Sequence, residues 1–159
     1  MSVGITIEIE NMDAVLSLVG NFADLDTETL LTTIGALGES QTRRRIEEEK
    51  SAPDGTPWQE NAEGTSILLR TGKHLRDSIA WNVSGDTASW GSSWEHAHVH
   101  QNGAVITPKN ARMLSFFAGG GRVFAKKVTI PARPFVGLSE DNKQEIREVV
   151  TDFLRSMQP

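Results

Sequence analysis

The C-terminal end of the chain carries the most regular apolar pattern in the sequence. After Ser139, apolar residues recur at three- and four-residue intervals and form one stripe: Ile146, Val149, Val150, Phe153, Leu154 and Met157. The spacing predicts an amphipathic helix with Ser139 as its N-cap and with Glu140 and Asp141 in its first turn. A helix with a single apolar face needs a second layer to cover that face, so we expect it to pack onto a sheet.

The rest of the chain mixes two periodicities. Val3, Ile5, Ile7 and Ile9 alternate with smaller or polar residues, which predicts an opening strand. Helical spacing follows over residues 11–22 and again after a cap at Asp26 or Thr27. Residues 79–90 alternate around Gly85-Asp86, which indicates a hairpin. We therefore predict an α+β fold, in which the long N-terminal-half helix and the C-terminal helix pack an antiparallel sheet of about four or five strands.

At the end of the long helix, three consecutive arginines are each followed four residues later by one glutamate. The arginines are residues 43–45 and the glutamates are residues 47–49. Opposite charges at this spacing face each other on a helix, so the pattern predicts three ion pairs on a solvated face. The acidic neighbours cancel much of the field of the arginines, which disfavours a phosphate-binding role.

Length and composition limit the class of protein. A chain of 159 residues can bury one core, so we expect a single domain over residues 1–159 with long mobile loops near 59–65 and 107–122. The net charge of −5 disfavours a protein whose main task is to coat nucleic acid. Because there is no cysteine, disulfides, thiolate metal sites and cysteine nucleophiles are excluded.

No segment of the sequence predicts insertion into a membrane. A spanning helix needs a run of about 18 apolar residues, and no such run occurs. The N-terminus is acidic and alternating, unlike the basic and then apolar segment of a secretory signal. We expect an intracellular protein without a membrane partner.

Three of the four histidines alternate within Glu95 to Gly103, at His96, His98 and His100. Imidazole is the commonest ligand of zinc, copper and nickel in proteins. On a strand the three rings would share one face and two could share a metal, whereas on a helix they would scatter. The pattern favours a structural element, and a metal-dependent enzyme that uses this run is the alternative function. No motif predicts a catalytic residue or a cofactor site.

Four segments of the sequence together resemble one family, the phage virion morphogenesis proteins, which include the tail completion proteins of Mu-like phages and prophages. The segments are "PDGTPW" at 53–58, "LLRTGKHLRDSI" at 68–79, "VHQNG" at 99–103 and "VTIPARPFVGLSEDNKQEI" at 128–146, in the order of the family. The most specific is "IPARPFVGLS". In the histidine segment His100, Gln101 and Gly103 match the family pattern, whereas His98 falls at a variable position.

The resemblance implies a non-enzymatic virion protein of the head-tail junction or the tail end, made in the host cytoplasm. It also implies a homo-oligomeric ring, a hexamer by family analogy, that contacts the tail tube, sheath or neck proteins and meets DNA only as the transiting genome. No metal or cofactor is implied. The candidate structural or interface residues are Trp58, His100, Gln101, Gly103, Arg133, Pro134 and Phe135. Arg133 is alternatively a local brace to a carbonyl. A third possible function is a DNA-binding accessory factor, for which binding would weaken with salt.

Overall fold

A computed structural model describes residues 3–8, 26–61, 64–69 and 73–156 of the chain. Its strands are β1 (Val3–Glu8), β2 (Ile79–Ser84), β3 (Thr87–Ser92), β4 (Ala104–Ile106), β5 (Leu114–Ala118), β6 (Gly121–Ala125) and β7 (Val128–Ile130). Its helices are α1 (Thr27–Arg44), α2 (Lys73–Asp77), α3 (Ala97–Asn102) and α4 (Glu140–Ser156). The fold is therefore α+β with antiparallel strands, as predicted. The helical pattern over residues 11–22 lies outside the described residues.

The central sheet has three antiparallel strands in the order β1-β3-β2. The predicted hairpin is confirmed, because β2 and β3 pair across a turn at Gly85 and Asp86 with Trp81 opposite Trp90. The predicted opening strand is confirmed as β1, which pairs with β3 and places Ile5 opposite Trp90. Alternation thus identified both hairpin strands and the opening strand.

The other strands do not extend this sheet. The described residues form a three-stranded sheet and two separate two-stranded sheets, β4 with β7 and β5 with β6, instead of one sheet of four or five strands. The segment 107–122, predicted as a loop excursion, contains β5 and the start of β6, which form a hairpin across the turn at Gly119 and Gly120. Residues 126–127 separate β6 from β7. These two strands therefore belong to different two-stranded ladders.

Helix α1 begins as predicted, because Asp26 Oδ1 accepts a hydrogen bond from the Thr29 backbone N–H at 2.9 Å. Its middle contains Gly35 and Gly38, which are poor helix formers. Both glycines face tryptophans of the sheet: a Cβ on Gly35 would lie 3.0 Å from the Trp81 ring, and one on Gly38 would overlap the indole of Trp90. The glycines are therefore needed for the close approach of helix and sheet.

The arginine and glutamate pairs differ from the prediction because the helix changes its winding after Arg44. Residues 45–49 form a π-helical turn, in which backbone hydrogen bonds join residues five apart. Arg44 accordingly pairs with Glu49 at 3.1 Å, while Arg43 pairs backwards with Glu39 at 2.9 Å. Only the Arg45 to Glu49 pair occurs as predicted, at 3.4 Å. The prediction of a wholly solvated face was wrong, because Arg45 is buried.

Two apolar clusters form the core. The first joins α1 and β3 through Leu30, Leu31, Ile34, Ala88 and Trp90. The stripe of α4 covers this cluster through Ile146, Val149, Val150 and Phe153, as its periodicity predicted. Ser139 is its N-cap, since its Oγ accepts from the Asn142 N–H at 3.1 Å. None of the described helices combines the length and the apolarity that a bilayer crossing needs.

The second cluster lies at the other end of the central sheet. It contains Ile46, Trp58, Leu75, Ile79, Ala97, Phe135 and Val136. These residues come from the π-helical turn, the loop after it, α2, β2, α3 and the segment between β7 and α4. Three of the four segments that resemble the virion morphogenesis family, at 53–58, 68–79 and 128–146, therefore contribute to this cluster.

Candidate structural site around residues 131–137

The seven candidate residues lie in or against one segment, residues 131–137, which joins β7 to α4. Pro131 and Pro134 lie within it, and each proline restricts its own φ and favours extended geometry in the residue before it. Arg133, Pro134 and Phe135 belong to the segment. The residues that contact it from outside are Trp58, His100, Gln101 and Gly103. A segment without a paired strand leaves its backbone polar groups unsatisfied unless side chains bind them.

Gln101 binds this backbone from the end of helix α3. Its Oε1 accepts hydrogen bonds from the N–H groups of Phe135 at 3.0 Å and Val136 at 3.1 Å. Its Nε2 donates to the Val136 carbonyl at 3.0 Å. One side-chain amide thus satisfies three backbone groups, which is what a neighbouring strand would otherwise do.

Gly103 ends α3 and allows the chain to turn against the same segment. Its φ of +72° lies in a region that L side chains rarely adopt. A Cβ at this position would lie 2.8 Å from the Ala132 nitrogen and 2.9 Å from the Ile130 carbonyl oxygen. The close approach also brings the His100 carbonyl to the Arg133 N–H, which donates to it at 2.7 Å. Glycine is therefore required here for conformation and for space.

Arg133 and Trp58 connect the segment to the loop after the π-helical turn. Arg133 is only 6% exposed, and its Nε and Nη2 donate to the Gln59 carbonyl at 3.0 and 2.9 Å. In return, Trp58 Nε1 donates to the Pro134 carbonyl at 3.2 Å. Burial lowers the pKa of Arg133, but a guanidinium keeps its charge in proteins. These are the contacts of a local brace to a carbonyl.

Arg45 is the main residue of the site that the sequence did not predict. Its side chain is 1% exposed, and Nη1 donates to the carbonyls of Phe135 at 3.2 Å and Gly137 at 2.8 Å. Its Nη2 donates to Asn142 Oδ1 at 2.5 Å. Burial is the main cause that lowers the pKa of Arg45, and Glu49 opposes it. Arg45 therefore connects the π-helical turn to both ends of the junction between the 131–137 segment and α4.

Asn142 extends the network into α4. Its Oδ1 also accepts from the Ser139 N–H at 3.2 Å, and its carbonyl accepts from Gln41 Nε2 at 3.2 Å. Gln41 Nε2 lies 2.8 Å from Glu145 Oε2, and Arg44 Nη2 lies 2.8 Å from Glu145 Oε1. The hydrogen bond from Gln41 is the first cause that lowers the pKa of Glu145. Helices α1 and α4 are thus joined by a polar seam beside their apolar contact.

A signal for Arg45 was present in the helical period itself. Leu31, Ile34, Gly38 and Gln41 are spaced by three or four residues and are all buried. The next position in that series is 45, whereas 43 and 44 fall on other faces. The arginine triplet drew attention to charge, but the period indicated that one of the three arginines faces inward.

The histidine run lies at the start of and within helix α3, and its three rings have different surroundings. His100 stacks on Trp94 at 5.7 Å between ring centroids, and His96 meets Trp94 edge-on at 5.4 Å. His98 Nδ1 lies 2.8 Å from the Glu95 carbonyl. Across the described ranges, no group of three or more histidine, aspartate or glutamate side chains is placed to hold a metal ion. The geometry gives the metal-dependent alternative no support.

His100 is the one histidine of the run that is well packed. Its Nδ1 is buried and has no hydrogen-bond partner among the described residues. Burial is the first cause that lowers its pKa, and the charges of Arg133 and His96 lower it further. These causes disfavour the protonated form of the ring, which stacks on Trp94.

Comparison with known proteins agrees with the motifs that meet at this site. Residues 7–155 match the sequence model of the phage virion morphogenesis family. The tail completion protein S of Escherichia phage P2 is 30% identical over 119 residues, which cover 74% of this chain and 77% of that protein. No solved structure matches the fold.

Proposed function

Because the chain belongs to the phage virion morphogenesis family, we propose that it is a structural protein that completes the phage tail, at the tail end or at the head-tail junction. The observation that carries the proposal is the match over residues 7–155 together with the similarity to a tail completion protein. The chain acts through its surfaces and becomes part of the virion.

The geometry of the site supports a structural role for the shared motifs. The side chains of Gln101, Arg133 and Trp58 bind backbone groups of the 131–137 segment or of the loop beside it. An amide, a guanidinium and an indole are not groups that act as nucleophiles or general bases, but they are well suited to hydrogen-bond backbone groups. We propose that Trp58, His100, Gln101, Gly103, Arg133, Pro134 and Phe135 hold the scaffold on which the assembly surfaces stand.

The finer proposal is that the chain assembles as a homo-oligomeric ring, a hexamer, that caps or joins the tail. Its neighbours would be tail tube, sheath or neck proteins, and DNA would pass through the ring without being bound. The net charge of −5 supports this last point, because an acidic ring repels a sliding polyanion. Assembly would take place in the host cytoplasm.

The test removes the chain from the phage. A phage carrying a stop codon in the corresponding gene is grown with and without a plasmid that supplies the wild-type chain, and the lysates are examined by negative-stain electron microscopy. We expect full heads and tails that fail to join, or tails with an abnormal end, and we expect the plasmid to restore joined particles. Infectious particles of normal shape without the plasmid would refute the proposed function.

The ring is tested separately on the purified chain. Native mass spectrometry and sedimentation velocity report the number of copies in the assembly, and the expected mass is six times that of the chain. A closed assembly with another number of copies would correct the proposed hexamer but would still support a ring. Open filaments of indefinite length would contradict the ring.

A further inference from the structure

The hairpin of β5 and β6, which we call the arm (residues 114–125), has one face made of aromatic and cationic side chains. Register pairs Ser115 with Phe124 and Phe117 with Arg122, so these four side chains share a face. The Arg122 guanidinium lies 6.0 Å from the ring centroids of both Phe117 and Phe124. The arm therefore presents two phenyl rings with one cation over them.

This face is exposed to an extent that is unusual for phenylalanine. Phe117 is 71% exposed and Phe124 is 58% exposed. Neither ring belongs to either apolar cluster of the described residues. Contiguous apolar surface that a chain leaves uncovered commonly marks an interface with another protein. The arm is therefore a candidate contact surface.

Charge is divided between the arm region and the rest of the chain. Residues 104–130 contain five basic residues, which are Lys109, Arg112, Arg122, Lys126 and Lys127, and no acidic one. The other 11 of the 16 basic residues share the remaining sequence with all 21 acidic residues. None of the five forms an ion pair with a described residue. The arm and the residues that flank it therefore carry net positive charge, whereas the rest of the chain, which we call the body, has an excess of acidic residues.

The body offers a groove whose chemistry is complementary to the arm. It lies between residues 53–55 and residues 138–141, with Pro53 and Leu138 as apolar walls. Its carboxylates are Asp54, Glu140 and Asp141, and within the described part of the chain Asp141 has no cationic partner. The two sides of the groove touch where the Pro53 ring packs on Gly137. A Cβ atom added to Gly137 would overlap this ring. We call this feature the acidic groove.

We propose that the aromatic face of the arm binds the acidic groove of a second copy of this chain. The inference rests on the proposed ring and names the contact that forms it. Phe117 and Phe124 bury against Pro53 and Leu138, and Arg122 faces the carboxylates. Because arm and groove are different surfaces, the contact is head-to-tail, and repeated contacts of this kind close a ring when the rotation between copies allows it.

Charge favours a protein partner for the arm over nucleic acid. A polyanion that approached the arm would also meet the excess of acidic residues in the body of the same chain, which repels it. A second copy instead brings carboxylates to the basic arm, and like charges are kept apart when the arm of one copy meets the groove of the next.

The test is a charge exchange. Arg122→Glu and Asp141→Arg are made singly and together, with Asp86→Arg and Arg155→Glu as control charge changes away from both surfaces. Sedimentation velocity measures self-association of each purified variant, and complementation of the stop-codon phage scores joined particles and infectivity. We expect each single variant to weaken self-association at least about tenfold and to lose complementation. The double variant should regain both, and the controls should behave as wild type.

The outcomes separate this inference from the proposed function. Wild-type assembly by Arg122→Glu would overturn the inference and leave the tail completion role intact. The same holds if Asp141→Arg assembles normally and fails to rescue Arg122→Glu, since the arm would then bind another protein. A third outcome would also overturn the inference: the wild-type chain retains double-stranded DNA at low salt, and only Arg122→Glu abolishes this retention while self-association is unchanged. This result would assign the arm to nucleic acid. The proposed function itself fails only if the phage is normal without the chain.

Discussion

The 131–137 segment and the arm both bring arginine side chains together with phenylalanine rings, but in opposite environments. Around the segment, Arg45, Gln101 and Arg133 donate to backbone carbonyls, and Phe135 is fully buried. On the arm, Phe117 and Phe124 are largely exposed, and Arg122 is bound to no carboxylate among the described residues. One region completes its contacts within the chain, and the other has an aromatic face that the described residues leave exposed.

The difference separates folding from assembly in this protein. An arginine buried with carbonyl partners stabilises only if every partner stays in place, so the 131–137 segment should tolerate few substitutions. An exposed aromatic pair contributes little to the monomer and can contribute most of an interface. The same residue types should therefore give opposite phenotypes in the two regions.

The sharpest test applies one substitution to both regions. Phe135→Ala removes a fully buried ring and should lower the free energy of unfolding by about 3–5 kcal/mol. Phe117→Ala removes an exposed ring and should change it by less than about 0.5 kcal/mol, while self-association is lost. Urea unfolding followed by circular dichroism measures the free energy of unfolding of both variants, and sedimentation velocity measures their self-association. Equal destabilisation would remove the distinction between scaffold and arm.

Arg45→Met should have the next largest effect. Methionine fills part of the space but removes the arginine donor from the Phe135 and Gly137 carbonyls and from Asn142 Oδ1, which keeps only the Ser139 N–H. We expect a loss of about 3 kcal/mol in the free energy of unfolding. Arg155→Met, at an exposed position on α4, is the control and should change stability by less than about 0.5 kcal/mol. Similar urea midpoints for the two variants would show that the buried network contributes little.

Gly103→Ala should cost less, because the strain is local. The positive φ alone costs about 1–3 kcal/mol for a residue with a Cβ, and the contact with Ala132 adds to it. Gly121→Ala, in the arm, is the matched control, since no heavy atom lies within 4 Å of its Cβ position. The difference between their thermal midpoints is the measurement. A stable Gly103→Ala protein would mean that the turn after α3 can adopt another conformation.

The smallest expected effect concerns pH and His100. Its folded pKa lies below the ordinary value of 6.5, so between these values the unfolded chain binds more protons than the folded chain. Stability is therefore fully present above pH 6.5 and falls as the pH decreases below it. His100→Phe keeps a ring against Trp94 and removes the titration. Its free energy of unfolding should fall less than that of wild type across this interval, and a parallel fall would assign the pH dependence to other groups.

Local patterns predicted the elements well where each element is regular. The stripe of α4, its Ser139 cap and the hairpin around Gly85 follow from spacing and capping chemistry, which act over a few residues. The convergence of Trp58, Gln101, Gly103 and Arg133 could not be predicted, because these residues are far apart in sequence. The motifs indicated that they matter, and the fold shows that they bind one segment.

The errors also have physical causes. The charge of Arg45 predicts a solvated position, but its partners are backbone carbonyls that no sequence pattern displays. The glycines at 119–121 predict a mobile loop, whereas two of them form the tight turn of a hairpin. In both cases the sequence does not show which backbone lies opposite the residues. For Arg45 it is the backbone of the 131–137 segment, and for each strand of the arm it is the other strand.

By itself the sequence determined the α+β class, the caps, the central hairpin and the membership of a phage morphogenesis family, because these depend on short-range periodicity and on motif order. Only the tertiary structure decided which arginine is buried, which strands pair, and which phenylalanines face solvent. These depend on what lies opposite each residue, and that is set by packing between elements that are distant along the chain.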